Sequence, residues 1–166
     1  MAWSREASVA SSAAPPPEVA GDDGAARVFV FGNLKRGFPL HEQGLRGARY
    51  LGACRTVERF PMFVAGPGYA PMMLNQPGAG LRVRGELYLI GAPSLSLLDT
   101  LESVGRPGND RLVIAVAPVA GGATRAAHAF LKSAERAFPI HSAWLDDYQD
   151  RRFVPQARRK GREEVA

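Results

Sequence analysis

The apolar positions of this chain fall into short runs cut by glycine and proline, and the densest run is Val28-Phe29-Val30-Phe31. Large β-branched and aromatic residues in such a run predict a buried strand over 27–31. Gly32 breaks the run, and Gly37 follows five positions later. Leu40 to Leu45 reads as a helical turn. Strands follow over 48–54 and 60–65, with Pro61 marking a strand start or an edge. Residues 66–80 are dense in glycine and proline, which predicts a long loop of the kind that borders binding sites.

The clearest alternation is over 81–90. Leu81, Val83, Gly85, Leu87 and Leu89 share one face, and Arg82, Arg84, Glu86 and Tyr88 share the other. Gly85 inside that strand signals a bulge or a close backbone approach. A helix is predicted from Pro93 to Ser103, with proline in its first turn and a stop at Gly105 to Gly108. Leu112, Ile114 and Val116 alternate in a strand over 111–118. Gly121-Gly122 then turns the chain into a last strand over 124–131. Trp144 and Tyr148 are spaced i, i+4 and predict a helix over 141–149. Six or so strands with two short helices, mostly antiparallel by their short links, point to an α+β class. The architecture expected is a small mixed, mostly antiparallel β-barrel with flanking short helices, since closure removes exposed edges.

Composition sets the boundaries. The chain has 166 residues, 46% of them hydrophobic, enough for one ordinary core. Residues 1–26 are rich in Ala, Ser, Pro and Gly without periodicity, and read as a disordered leader. The domain is expected over 27–155, and a basic polar tail over 156–166. That tail lacks the interleaved aromatics that stack bases, so no nucleic-acid partner is expected. No apolar run reaches the ~18 residues of a membrane span, and no signal peptide opens the chain. A cytoplasmic protein without a membrane partner is the expectation. The lone cysteine, Cys54, excludes an intrachain disulfide. His41, His128 and His141 show no HxxxH or HExxH spacing, so a zinc enzyme is not expected.

Two places carry candidate chemistry. At the glycine turn, backbone N–H groups stand where no Cβ blocks a ligand, and successive N–H groups form an anion cradle; a plain β-turn is the competing reading. On the predicted helix, Leu97, Leu98 and Leu101 centre the apolar face, Leu95 edges it, and Glu102 falls between Leu95 and Leu98 at ~100° per residue. A glutamate flanked by leucines is partly desolvated, which raises its pKa; alternatively it snorkels to water or pairs with Arg106. Asp99 lies outside the apolar arc and reads as solvated. Lesser candidates are His41 beside the glycine loop, Tyr148 as a hydroxyl over the site or a packing partner of Trp144, His128 and Cys54 as structural residues, and Arg82 with Arg84 as a solvated face.

In order and spacing, four segments together resemble the γ-glutamylcyclotransferase family, nearest its γ-glutamylamine cyclotransferase branch. They are Val28-Phe29-Val30-Phe31-Gly32-Asn33-Leu34-Lys35-Arg36-Gly37, Gly85-Glu86-Leu87-Tyr88, Leu98-Asp99-Thr100-Leu101-Glu102 and Arg152-Phe153-Val154-Pro155. The resemblance runs from Val28 to Pro155. It implies Glu102 as the catalytic acid–base and Phe31, Gly32, Asn33 and Leu34 as the loop that holds the γ-glutamyl group of a small-molecule substrate. It implies a small barrel and a reaction without cofactor or metal: intramolecular attack of the α-amine on the γ-carbonyl, releasing 5-oxoproline and an amine. A catalytically silent domain that holds a small acidic ligand on the same fold is the alternative. The chain departs from the family pattern at four places. Phe31 stands where a tyrosine is usual, Asn33 where Thr or Ser is, Asn109-Asp110-Arg111 where Tyr-x-Arg is frequent, and Lys132 where the last barrel strand usually carries tyrosine.

The chemistry explains why such residues are wanted. An amine cannot attack as ammonium. A glutamate near pKa ~4.3 facing an ammonium near ~7.8 is too weak by about 3.5 units, or roughly 5 kcal/mol. Partial burial narrows that gap, and positioning supplies much of the remaining acceleration.

Overall fold

The computed structural model describes residues 24–155. Nearly all of the predicted leader and all of the tail over 156–166 lie outside that range, although Ala26 already opens the first strand. The elements are β1 (Ala26–Val30), α1 (His41–Leu45), β2 (Arg49–Thr56), β3 (Met62–Ala65), β4 (Ala70–Met73), β5 (Arg84–Ile90), α2 (Ala92–Leu101), β6 (Asn109–Pro118) and β7 (Arg125–Lys132), followed by a 3-10 turn at Ala134–Arg136. Five strands close into a barrel in the order β1-β5-β2-β6-β7. Pairings are antiparallel except where β1 meets β7, with Val28 level with His128.

β1 is apolar throughout because both of its faces are covered. Phe29 and Phe31 point to the barrel interior with Leu87, Val83, Val116 and Leu131. Val28 and Val30 face outward and are sealed by Leu45 of α1 and Leu98 of α2, with Phe130 of β7 beside them. The same double burial takes in Tyr88, expected on a polar face and in fact 2% exposed beneath the helices. Gly85 has no room for a side chain, since a Cβ there would meet the Val30 carbonyl and the Phe29 ring.

Several expectations are corrected. Residues 66–80 are not one loop: Ala70–Met73 pairs antiparallel with Met62–Ala65 as a separate two-stranded hairpin. Residues 141–149 are not a helix. The segment runs along the hairpin and β5, where its backbone groups are taken. The His141 N–H donates to Val64 O at 2.8 Å and the Leu145 N–H to Met62 O at 2.7 Å. The Asp146 carbonyl accepts from the Arg84 N–H at 2.7 Å. A backbone bonded to neighbouring strands cannot also close i→i−4 helical bonds. Trp144 is accordingly exposed, and Tyr148 is buried without it.

On α2, the stripe that packs on the barrel is Leu95, Leu98 and Leu101. Leu97, one position and ~100° away, is 44% exposed rather than central. Asp99 is not solvated: its Oδ1 lies 2.9 Å from Arg111 Nε with both side chains mostly covered. The two atoms are close enough for an ion pair, but the guanidinium N–H is not aimed for a hydrogen bond. His128 stands next to that pair, with Arg111 Nη1 at 3.3 Å from its Nδ1. Burial, then the neighbouring Arg111 charge, holds its imidazole below the ordinary value. Cys54 is a buried free thiol whose pKa burial raises. No helix among the described residues is long and apolar enough to cross a membrane.

Candidate active site

β1 and β7 run parallel, so Gly32 and Lys132, each four residues beyond the paired Val28 and His128, emerge at the same end of the barrel. A cavity of about 550 Å³ opens there. Its walls are the turn after β1 (Phe31 to Leu34), the end of α2 (Leu101, Glu102, Ser103), the β4 side of the hairpin, and Asn109, Lys132 and Arg136. Phe153 and Pro155 close one side. The Val154 N–H ties that segment to Gly68 O at 2.8 Å.

The turn after β1 is held by its own backbone. The Lys35 N–H donates to Gly32 O at 3.1 Å and the Leu40 N–H to Asn33 O at 2.9 Å. His41 does not line the cavity; its Nδ1 meets Leu34 O at 2.9 Å and its ring leans on Tyr88. Gly32 must be glycine, because a Cβ would collide with the Pro71 ring from β4. Gly32, Asn33 and Leu34 are all buried. Among the described residues, their three backbone N–H groups donate to no protein acceptor. Buried N–H groups without a partner are rare. Three in succession, in a turn that lines a cavity, are the groups from which an anion cradle is built.

Asn33 has a fixed orientation. The Tyr148 hydroxyl donates to Asn33 Oδ1 at 3.1 Å between two buried side chains. Burial, then the Asp150 charge, pushes the Tyr148 hydroxyl up to about 12, so it keeps its proton. With its oxygen engaged, the Asn33 amide turns its NH2 the other way. Tyr148 is itself pinned from behind. The Lys35 ammonium donates to Tyr148 O at 2.8 Å and to Asp147 Oδ1 at 3.0 Å.

Glu102 lies in the same cavity as the glycine turn, but its surroundings differ from those expected. It is the residue that ends α2, its N–H donating to Leu98 O at 2.9 Å, and Ser103 beyond it adopts φ 55°. The carboxylate makes no ion pair with Arg106. It faces Lys132, with Nζ 3.4 Å from Oε2 and 3.3 Å from the Glu102 carbonyl oxygen. Both contacts are long for charge-assisted bonds, and the carboxylate side chain keeps 26% of its exposure.

Sequence reasoning did not single out Asn109 or Arg136 as cavity residues, whereas the stretch 66–80, expected to border a binding site, does line the cavity through Pro67 and Ala70 to Met73. Asn109 had no signal beyond its place in a departure from the family pattern, and Arg136 had none. Only the strand character of β4 was missed, because the glycines and prolines that flank Ala70–Met73 read as loop. Arg82 and Arg84 are exposed and do not line the cavity. Among the described residues no group of three or more His, Cys, Asp or Glu side chains is placed to hold a metal ion.

A closed mixed barrel with two short helices and an acid-bearing cavity at one end defines a class, and comparison with known proteins identifies it. Residues 28–150 match the family model described as γ-glutamyl cyclotransferase, AIG2-like, and the chain belongs to that family. It is 36% identical to the γ-glutamylaminecyclotransferase of Bos taurus over 137 residues, covering 76% of this chain and 79% of the bovine one. It is 42% identical over 84 residues to a putative γ-glutamylcyclotransferase of Arabidopsis thaliana, a match that covers 48% of this chain and 44% of that relative. It thus spans about half or less of some of its relatives. An AIG2-like protein from Mus musculus has the same architecture, with a TM-score of 0.63 at 29% identity over 76% of this chain and 97% of that structure.

Proposed function

We propose that this chain cyclises a γ-glutamyl group, releasing 5-oxoproline and an amine. The observation that carries this reading is the shared cavity: Glu102 stands in the same space as three buried backbone N–H groups that lack an acceptor among the described residues. The amides of Gly32, Asn33 and Leu34 receive the substrate's α-carboxylate, with the Asn33 NH2 beside them. Phe31 forms the apolar wall along the methylenes.

The α-ammonium then meets Glu102, which takes a proton. The freed amine attacks the γ-carbonyl carbon, forming the C–N bond of a five-membered ring and a tetrahedral oxyanion. The Lys132 ammonium is the nearest cation to stabilise that charge. Glu102 returns its proton to the leaving nitrogen, and the C–N bond to the amine breaks as the oxyanion reforms the carbonyl. The ring nitrogen passes its second proton to the departing amine, which leaves as ammonium, and no protein nucleophile is consumed. The attack is intramolecular, so a cavity that fixes the folded-back substrate supplies effective concentration.

One observation favours the silent-binder alternative: the Glu102 carboxylate is already paired with Lys132, where the family pattern has tyrosine. Screening the purified chain against a panel of γ-glutamyl amines for 5-oxoproline separates the two. Turnover of at least one member is expected. Saturable binding without release of 5-oxoproline overturns the enzymatic reading in favour of the binder.

A further inference from the structure

The eight residues from Leu112 to Val119, along β6 and just past its end, are apolar without a break. An antiparallel strand with one wet face alternates apolar and polar positions, whereas a continuous apolar run marks a strand covered on both faces. β1 carries that mark, and Leu45 of α1 and Leu98 of α2 cover its outer side. β6 carries it with one face open. Leu112, Ile114 and Val116 belong to the barrel core, which turns Val113, Ala115 and Ala117 outward. Val113 is 44% exposed, Ala115 is exposed and Ala117 half-buried, and Val119 beyond them is 47% exposed. Val57 broadens the strip on the β2 side: its N–H donates to Ala115 O at 3.0 Å, and the residue is 40% exposed.

The rim of the strip is cationic. Arg55 is the cross-strand partner of Ala117. Arg82 is tied to the Thr56 carbonyl oxygen by its Nε–H at 2.9 Å. Arg125 opens β7 opposite Val116. Among the described residues none of the three makes an ion pair, nor does Glu58, the acid beside Val57 in the chain. A second copy docked by two-fold symmetry would set these arginines against their own kind. An acidic segment of this chain lies nearer. Residues 1–23 hold four acids, Glu6, Glu18, Asp22 and Asp23, against one base, Arg5. They lead into β1 at Ala26, which the parallel register sets level with Ala126, the partner of Ala115. β7 alone stands between β1 and β6, so at about 4.8 Å per strand the strip begins roughly 10 Å from that entry point. Three or four extended residues at about 3.3 Å each span the gap, so Ala20 and Val19 reach the strip with chain to spare.

We infer that the segment ahead of β1 folds back over the outer face of β6, with Val19 and Ala20 on Val113, Ala115 and Val57 and the acids Glu18, Asp22 and Asp23 among Arg55, Arg82 and Arg125. Such a segment cannot bury enough apolar surface by itself, and the strip supplies the burial it lacks. The alanines of β6 let a backbone lie close to the sheet. Pro15-Pro16-Pro17 favours an extended chain, the form that lies flat on it. Covalent attachment a few residues away keeps the segment at high effective concentration over the strip.

NMR on the isotopically labelled full chain tests this, with sedimentation giving its mass. A monomer is expected, with nuclear Overhauser cross-peaks from the Val19 or Ala20 methyls to those of Val113, Ala115 or Val57. Amide order parameters over 18–23 should approach the ~0.85 of a fixed backbone. Ala115→Asp places a charge on the exposed strip; it should remove the cross-peaks and drop those order parameters below about 0.6. Glu18→Gln combined with Asp22→Asn and Asp23→Asn should weaken the same signals, as should added salt. That charge variant leaves the barrel untouched, so it decides the matter even if Ala115→Asp fails to fold. Order parameters below about 0.6 in the wild type, or cross-peaks that survive both variants, overturn the inference. A dimeric mass with cross-peaks between molecules at Val113 and Ala115 overturns it too, and gives the face to a second copy.

Discussion

At the scale of single residues, the site depends on a side chain 115 positions from the one it serves: Tyr148, through Asn33. The family's Thr or Ser at that place is a small rotor. Asn33 needs an outside partner to decide which end of its amide faces the ligand, and the buried Tyr148 hydroxyl makes that choice. Tyr148→Phe leaves the ring and removes the director. Because the loop is proposed to hold a carboxylate in both ground and transition states, KM should rise about tenfold while kcat changes little. A purely structural hydroxyl would lower Tm and leave KM alone. Glu102 and Gly32 were legible in the sequence because each breaks a strong local pattern. The ion pair of Glu102 with Lys132 was not, since nothing local links a helix end to a strand 30 residues later. Tyr148 was legible only as an alternative, because spacing to Trp144 competes with hydrogen bonding and only tertiary structure decides.

At the scale of elements, most of the barrel followed from periodicity. Strands β1, β2, β5, β6 and β7 were expected within a few residues of their observed limits. The failures share a cause. In the hairpin strand Ala70–Met73 and in residues 141–149, local composition or spacing pointed one way and pairing with distant backbone pointed another. Tertiary pairing overrides weak local preference. The hairpin is also what makes Gly32 a packing requirement as well as a turn. Gly32→Ala must push Pro71 aside, so it should cost about 1–3 kcal/mol by urea unfolding and open the cavity wall. Affinity for a γ-glutamyl ligand should fall with it. An unchanged unfolding midpoint would mean that β4 is free to yield.

Across the whole molecule, the cavity is assembled from segments far apart in sequence, and the buried Lys35 helps to fasten them. Its ammonium bridges the glycine loop to Asp147 and Tyr148 O. Burial alone would raise the Asp147 carboxyl, but hydrogen bonds from Gln149 and Lys35 and the Lys35 charge outweigh it and hold the pKa below the ordinary value. A lowered folded-state pKa stabilises the protein above the unfolded value and is lost as pH falls through the folded one. Asp147→Asn should therefore cost about 1–2 kcal/mol at neutral pH, modest because the carboxylate is partly exposed. The two unfolding curves should converge below about pH 4. His128 acts over a higher range. Its lowered pKa means that the unfolded chain binds a proton first as pH falls below 6.5, so stability declines there. His128→Gln should flatten that decline in the pH dependence of Tm. The fold class was legible at this scale from strand count and short links; the Lys35 anchor was not, because one lysine in a polar loop looks solvated. The central claim is that Glu102 and the turn over Phe31 to Leu34 serve one γ-glutamyl group, and it is tested most directly by comparing wild type with Glu102→Gln on a γ-glutamyl amide. The account predicts that wild type releases 5-oxoproline while Glu102→Gln loses at least about 1,000-fold in kcat yet still binds the substrate. Turnover retained in Glu102→Gln would contradict it.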